Sequence, residues 1–583
     1  MADSLEVYQK ASSAKVNWEK SGALQLGNWG GGTAPSLPGG LRWEREGFKC
    51  LGVFLGTEEF QKRNWEGLLE KVCARMSKWK WLLPQLSYRG RVLVANNLIA
   101  SMLWHRLVIL PPPPGLIEEI QRALVNFFWS GQHWIKAAAL YLPVREGGQG
   151  LIDIPSRVRA FRLQTAQRLL YHFGVSWADT ARLLLRRGGQ LGYDKHLFLL
   201  KPEEIDLTGL TPFYHSVMKA WQVLRANRVP DATPGMWLFE EPLFHNDFIV
   251  SRVLSSASVR NSLREAGCVK LGHLLKATRT SVEELGERAG IRSSRRLQMM
   301  VKEVRGSLPG PYRAFIDQQT VCDQWDDEGE YVFPALTVSA AVEDWQEDGG
   351  FLSFTTPELE DFEDTSKKAV YLTCVKVAHR RSLGGMKASR WDEFFGPGST
   401  PKGSWRSLYK PPVEKRVGDL QWRIVHGGIA TNGYLAHLDP SNGVGCPFCR
   451  REETVFHLFV ECPRLDRVLA FAEGVATRLG ESFSLENVIF GPKYSSSRRP
   501  FVTLVNFLYG TVKLSIWKTR KNQVKGLGSV DPLLMAKGIM SARIKIEHAY
   551  YSLVGDIGGF EQVWCVGDAL CTVTNDGILQ VVF

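Results

Sequence analysis

Apolar residues return at helical intervals through most of this chain. Trp65, Leu68, Leu69, Val72, Cys73, Met76, Trp79 and Leu83 share one face of a helix. A second helical stretch, Tyr88 to Leu107, is stopped by the four prolines Pro111 to Pro114. A third helix is predicted from about Leu116 to Trp129. A fourth, Pro155 to His172, carries Arg157, Arg159, Arg162 and Arg168. Short helices are read at Val269–Leu275 and Ser281–Leu285, and a longer one from Ser293 to near Ser307. Towards the C-terminus one helix bears Lys513, Lys518, Arg520, Lys521 and Lys525, and another surrounds Arg543–His548. Strand signals are sparse. Phe48 to Gly56 reads as one buried strand ended by glycine, after a glycine-rich turn region at Gly27–Gly40. Two short strands close the chain around a turn at Asn575-Asp576-Gly577. The fold class is mainly α with small α+β pieces.

Charge adds a division that periodicity does not show. The 583 residues carry a net +12, yet Asp323 to Asp364 hold fourteen acidic residues and no Lys or Arg. The rest of the chain is therefore more than twice as positive as the whole. Such a balance attracts polyanions, of which nucleic acid is the commonest in a cell, although a basic surface kept for solubility fits too. Residues 61–200 alone carry +12, enough for a phosphate-backbone footprint. From Lys367 to Lys410 basic residues mix with Tyr371, Trp391 and Trp405, a mixture that suits single-stranded nucleic acid or a plain amphipathic helix. The acidic stretch reads as an irregular linker and a candidate segment for a protein partner. At 44 % hydrophobic residues the chain can bury real cores, which excludes a mostly disordered protein. No apolar run is long enough to span a membrane, and Met1–Glu6 has neither the basic nor the apolar region of a signal peptide. An intracellular protein of nucleus or cytoplasm is expected.

Ten cysteines without a secretory signal argue against a disulfide framework. Cys50, Cys73, Cys268, Cys322, Cys374, Cys565 and Cys571 are scattered and read mostly as buried fillers. Cys446, Cys449, His457 and Cys462 form Cys-x2-Cys-x7-His-x4-Cys. A Cys-x2-Cys turn aims two sulfurs at one centre, and a His and Cys five positions apart complete a tetrahedron from a near-helical turn. Three thiolates and an imidazole suit zinc. With four protein ligands the site is expected to be structural, since no position remains for an activated water.

These residues resemble a family. Trp405, Lys410-Pro411-Pro412, Lys415, Trp422-Arg423-Ile424-Val425-His426-Gly427, the Cys pair, Glu453-Thr454-Val455-Phe456-His457-Leu458-Phe459 and Cys462 stand in the order of the reverse-transcriptase zinc-binding domain of LINE-type non-LTR retrotransposons. Upstream, Cys50–Gly56 is similar to the strand after the polymerase active site. Asn64 to Trp129 resembles the thumb and connection, and Gly147-Gly148-Gln149-Gly150-Leu151 the glycine-rich segment that follows. The resemblance divides the chain into a palm remnant (1–60), a thumb-like helical domain (61–200), a small helical region (201–322), the acidic linker (323–364), the zinc-binding domain (365–480) and a basic helical C-terminal region (481–583).

The family's catalytic aromatic-Ala-Asp-Asp turn would lie just upstream of Ser4-Leu5-Glu6, and Asp326-Asp327, the one Asp-Asp pair, reads as a solvated loop. No catalytic residues and no polymerase activity are expected of these residues themselves. The expected function is a non-catalytic nucleic-acid-binding remnant that contacts RNA or DNA phosphates through Arg380, Arg381, Lys402, Arg406, Lys415 and Arg423. The alternatives are part of an RNA-directed DNA polymerase whose palm lies upstream, or a zinc-stabilised adaptor binding a protein through the acidic linker.

Overall fold

A computed structural model of the chain describes residues 2–25, 36–37, 40–172, 174–188, 191–224, 226–228, 230–275, 282–319, 336–340, 358–384, 391–396, 404–441, 443–492 and 499–583. Most of the expected turn at Gly27–Gly40, most of the acidic linker with Asp326-Asp327, Cys322 and Lys402 lie outside them. Helices dominate, and strands occur only in three two-stranded pairs and one three-stranded sheet among the described residues. The chain is mainly α.

The opening strand is instead a hairpin. Gly47–Cys50 pairs antiparallel with Val53–Gly56, and Leu51 and Gly52 turn the chain with φ of 47° and 86°. The apolar run Cys50–Leu55 hid the turn, because Leu51 occupies its tip and is 87 % exposed. After the short helix Glu58–Lys62 comes Leu68–Ser77, shorter than the apolar spacing suggests because Gly67 enters it in a left-handed conformation. Tyr88–Leu93, a π-helical stretch Val94–Ala100 and Ser101–Leu107 run on continuously. Helices Leu116–Trp129 and Ile154–Tyr171 follow where periodicity places them. Ser293 caps the helix Ser294–Ser307 by accepting from Arg296 N–H. Two long C-terminal helices, Arg499–Val524 and Pro532–Val554, pack on each other, and the unforeseen short helix Ile557–Trp564 packs against both.

Three hydrophobic cores organise these elements, and they group the chain differently from the six segments read above. One core takes residues from Leu68 to Ile154 and again from Val375 to Cys571, so the thumb-like bundle, the cysteine cluster and the C-terminal helices share it. A second gathers Ala160–Leu224 with Leu336, Phe362, Val370 and Cys374. The third holds Leu238 to Ile316. The acidic stretch thus contributes to packing in its described parts, through Leu336 and Phe362. Thr337–Ala340 and Glu358–Asp361 join Ala226–Asn227 in the three-stranded sheet.

The first core is fastened across its two halves. Gly147 carbonyl oxygen lies 2.9 Å from Trp422 Nε1 and 2.8 Å from His426 Nε2. Burial pushes His426 down to about 4, so its imidazole is neutral at physiological pH. Gly147 needs φ of 89°, and a Cβ on Gly148 would meet Leu142 O at 1.9 Å, which explains the paired glycines. Beside them Lys376 and Glu146 form a buried ion pair at 3.0 Å. Asp419 accepts the Tyr88 N–H at 2.9 Å and the Tyr409 hydroxyl at 2.9 Å.

Candidate metal centre and basic surfaces

Local structure brings the four expected ligands together. Gly445 and Glu452 bridge across the tip that carries Cys446 and Cys449. Cys446 N–H donates to Arg451 O, Arg450 N–H returns to Cys446 O, and Arg450 takes a φ of 64° to close the knuckle. Thr454 then accepts the His457 N–H through its hydroxyl and starts a π-helical turn, His457–Glu461. That turn delivers His457 and Cys462 to the same side, with Cys462 N–H bonded to His457 O.

The donor atoms converge. Cys446 Sγ stands 3.9 Å from Cys462 Sγ, Cys449 Sγ lies 4.0 Å from Cys462 Sγ, and Cys449 Sγ lies 3.1 Å from His457 Nε2. All four donors fall within 4.8 Å of one another. Sulfurs bound tetrahedrally to one ion at ~2.3 Å would be about 3.8 Å apart, so the donor set fits a small four-coordinate metal. Cys446, His457 and Cys462 are buried, and burial holds the imidazole below its ordinary range, in the neutral form that ligates. The outer nitrogen Nδ1 faces Glu461 Oε2 at 4.0 Å.

Glu453 and Arg520, which sequence alone does not connect, anchor this knuckle. Glu453 is fully buried and accepts from Arg520 Nε at 3.0 Å and Nη2 at 2.6 Å. The same carboxylate takes the Asn432 N–H at 2.6 Å, and Asn432 Nδ2 donates to Gly445 O at 2.7 Å. Arg464 adds a second tie, its guanidinium 3.4 Å from the Phe448 ring centre and bonded to the Thr519 hydroxyl. Both ties end on the Arg499–Val524 helix. Only the spacing of Glu453 within the Glu-Thr-x2-His element hinted at this role.

The basic residues divide by burial. Lys415 and Arg381 are exposed, and Arg380 is half-buried beside Arg381 on the short helix Arg380–Gly384. Arg406 lies on the helix Ser404–Ser407. Arg423 is committed inside the protein, donating from Nε to Gly428 O at 2.9 Å and stacking 4.6 Å from the Trp134 ring. It is therefore withdrawn as a phosphate contact. Arg162 is also structural, donating to Ser216 Oγ and to the carbonyls of Val108 and Leu110 just past the helix Ser101–Leu107. On the Arg499–Val524 helix Lys513 and Arg520 are buried, whereas Lys518, Lys521 and, just past its end, Lys525 are exposed. A basic surface that periodicity concealed runs along Lys71, Lys78 and Lys80 beside Trp81, which is 69 % exposed. The scattered cysteines also divide. Cys50 and Cys73 are exposed rather than core fillers, while Cys268, Cys374 and Cys571 are buried.

The fold and site define a mainly helical protein built around a Cys3His cluster able to hold a metal. No family model matches the chain. Over 98 % of its length it is 32 % identical to the uncharacterized 149 kDa protein of transposon TX1 from Xenopus laevis, of which it spans 44 %. It is thus homologous to a transposon protein along nearly its whole length, and covers less than half of that relative. A 116-residue stretch is 28 % identical to a putative ribonuclease H protein of Arabidopsis thaliana, covering 19 % of this chain and 18 % of that one. No helix among the described residues is long and apolar enough to cross a membrane.

Proposed function

We propose that this chain is the nucleic-acid-binding, non-catalytic portion of a LINE-type reverse transcriptase, with a structural zinc site that shapes its C-terminal side. Homology to a transposon protein across 98 % of the chain carries this reading. The chemistry of the cluster supports zinc, because three thiolates and one imidazole complete a tetrahedron. Phosphate contacts are assigned to exposed Arg381 and Lys415, to Arg380, Lys402 and Arg406, and to the Lys71, Lys78 and Lys80 surface. Trp81 among those lysines offers a ring for base stacking. Within these 583 residues no aromatic-Ala-Asp-Asp turn supplies metal-binding carboxylates for polymerisation.

An electrophoretic shift series across salt tests the reading. A surface making several phosphate contacts loses about a thousandfold in affinity between 50 and 200 mM salt. A flat response, or no binding to RNA or DNA, removes the nucleic-acid function and leaves the adaptor. A second reading has its own support. The relative is more than twice as long as this chain, so the chain fits a polymerase whose palm lies in an upstream part. Primer extension on an RNA template with Mg²⁺ by this chain alone would overturn the non-catalytic reading.

A further inference from the structure

Between the helix Asp392–Phe395, the helix Asn432–Leu438 and the segment that joins Cys449 to His457 lies a cleft of about 380 Å³. Aromatic rings make much of its wall. Phe394 and Phe456 stack with their ring centres 4.0 Å apart and their planes within 7°, and Tyr434 and Trp391 line the same space. Phe394 stays 41 % exposed although it is stacked.

The polar lining decides what such a cleft can take. Glu393 and Glu452 are exposed carboxylates on its rim with no ion-pair partner among the described residues, while Glu453 beneath is neutralised by Arg520. The chain has 72 Lys and Arg, yet among the described residues none lines this cleft. Among the described lining residues a phosphate would find the His437 imidazole but no ammonium or guanidinium. A cation would find two carboxylates and several electron-rich ring faces. Elsewhere the protein fills such ring faces from within, Arg89 lying 3.8 Å from the Tyr409 ring and Arg423 4.6 Å from Trp134. Among the described residues no internal cation sits on Phe394, Tyr434 or Phe456.

We propose that this cleft binds a cationic side chain, Lys or Arg, of a partner peptide, recognised by Glu393 and Glu452 together with the rings of Phe394, Tyr434 and Phe456. It is a protein-binding site separate from the phosphate contacts proposed above, and it does not depend on them. A chain of net +12 repels basic peptides in general, so capture has to be local.

The test uses the full zinc-loaded chain and fluorescence anisotropy of a labelled (Gly-Lys)5 peptide, with a labelled ten-residue oligothymidylate as the counter-probe. Phe394→Ala, and Glu393→Gln with Glu452→Gln, are each expected to weaken peptide binding at least tenfold. Zinc content and oligothymidylate affinity should stay unchanged. Absence of saturable peptide binding overturns the proposal. So does wild-type affinity in both variants, the result expected if the acidic 323–364 stretch alone held the peptide. If Phe394→Ala weakens the oligothymidylate and spares the peptide, the cleft is a base-stacking site and the proposal fails.

Discussion

Arg520 grips Glu453 with two side-by-side hydrogen bonds, at 3.0 and 2.6 Å, across 67 residues of chain and with both side chains almost wholly buried. Breaking one partner of such a pair strands a buried charge, which costs on the order of 3–5 kcal/mol. Glu453→Gln and Arg520→Met should each lower the unfolding midpoint in urea. Each should also weaken zinc ~10-fold or more in a chelator competition, because the pair positions the ligand loop. The double substitution Glu453→Met with Arg520→Met should cost less than the sum of the single changes. Additive losses would show that the two groups act independently.

One zinc per chain is the expected stoichiometry by elemental analysis. Cys446→Ser or Cys462→Ser should bring it below about half an equivalent. A chelator should then raise hydrogen exchange across 446–462 and in the facing turns of the Arg499–Val524 helix, since metal binding and local folding are one equilibrium. Zinc content that ignores both substitutions would exclude the Cys3His cluster as the site.

Lys513 is fully buried, and its ammonium finds the Ile489 carbonyl at 3.0 Å. Burial lowers its pKa to about 7. Because the folded value lies below the unfolded one near 10.5, the unfolded chain binds the extra proton between those limits. The penalty is therefore full at pH 7 and below, and fades as pH rises towards 10.5. Lys513→Met should raise the melting temperature most at pH 6 to 7, and the gain should shrink by pH 10. A gain independent of pH would mean that the amine is solvated in the folded state.

Two arginine and lysine positions on one helix should behave oppositely. Lys415 is exposed at the start of Lys415–Val425, so Lys415→Ala should leave stability within about 0.5 kcal/mol. It should also reduce the salt slope of nucleic-acid binding by about one. Arg423→Ala should instead lower the melting temperature and leave the slope alone, because its guanidinium is held by Gly428 and Trp134. A changed slope in Arg423→Ala would return that residue to the binding surface.

Local signals were legible where the chain decides locally. Leu116–Trp129 occupies the residues that its periodicity indicates, bounded by Gly115 and Ser130 in left-handed conformations. The Cys-x2-Cys-x7-His-x4-Cys spacing marked four donors that do converge. Features set by distant partners were hidden. Arg162, Lys513 and Arg520 look like any other basic residues until carbonyls and carboxylates far along the chain come to meet them. The hairpin at Leu51-Gly52 was hidden for a different reason, since an exposed leucine at a turn tip is indistinguishable from strand sequence.

The first hydrophobic core draws its buried residues from 68–154 and 375–571, with only Val158 and Tyr371 of the described residues between packed against it. During synthesis the early helices emerge with their apolar faces uncovered, and their partners arrive only after more than two hundred further residues. Closing so long a loop is entropically costly and slow, and leaves those faces exposed to aggregation meanwhile. Maturation of this protein should therefore be gated by completion of its C-terminal helices, and ribosome-bound intermediates ending before residue 375 should be the species that depend on chaperones.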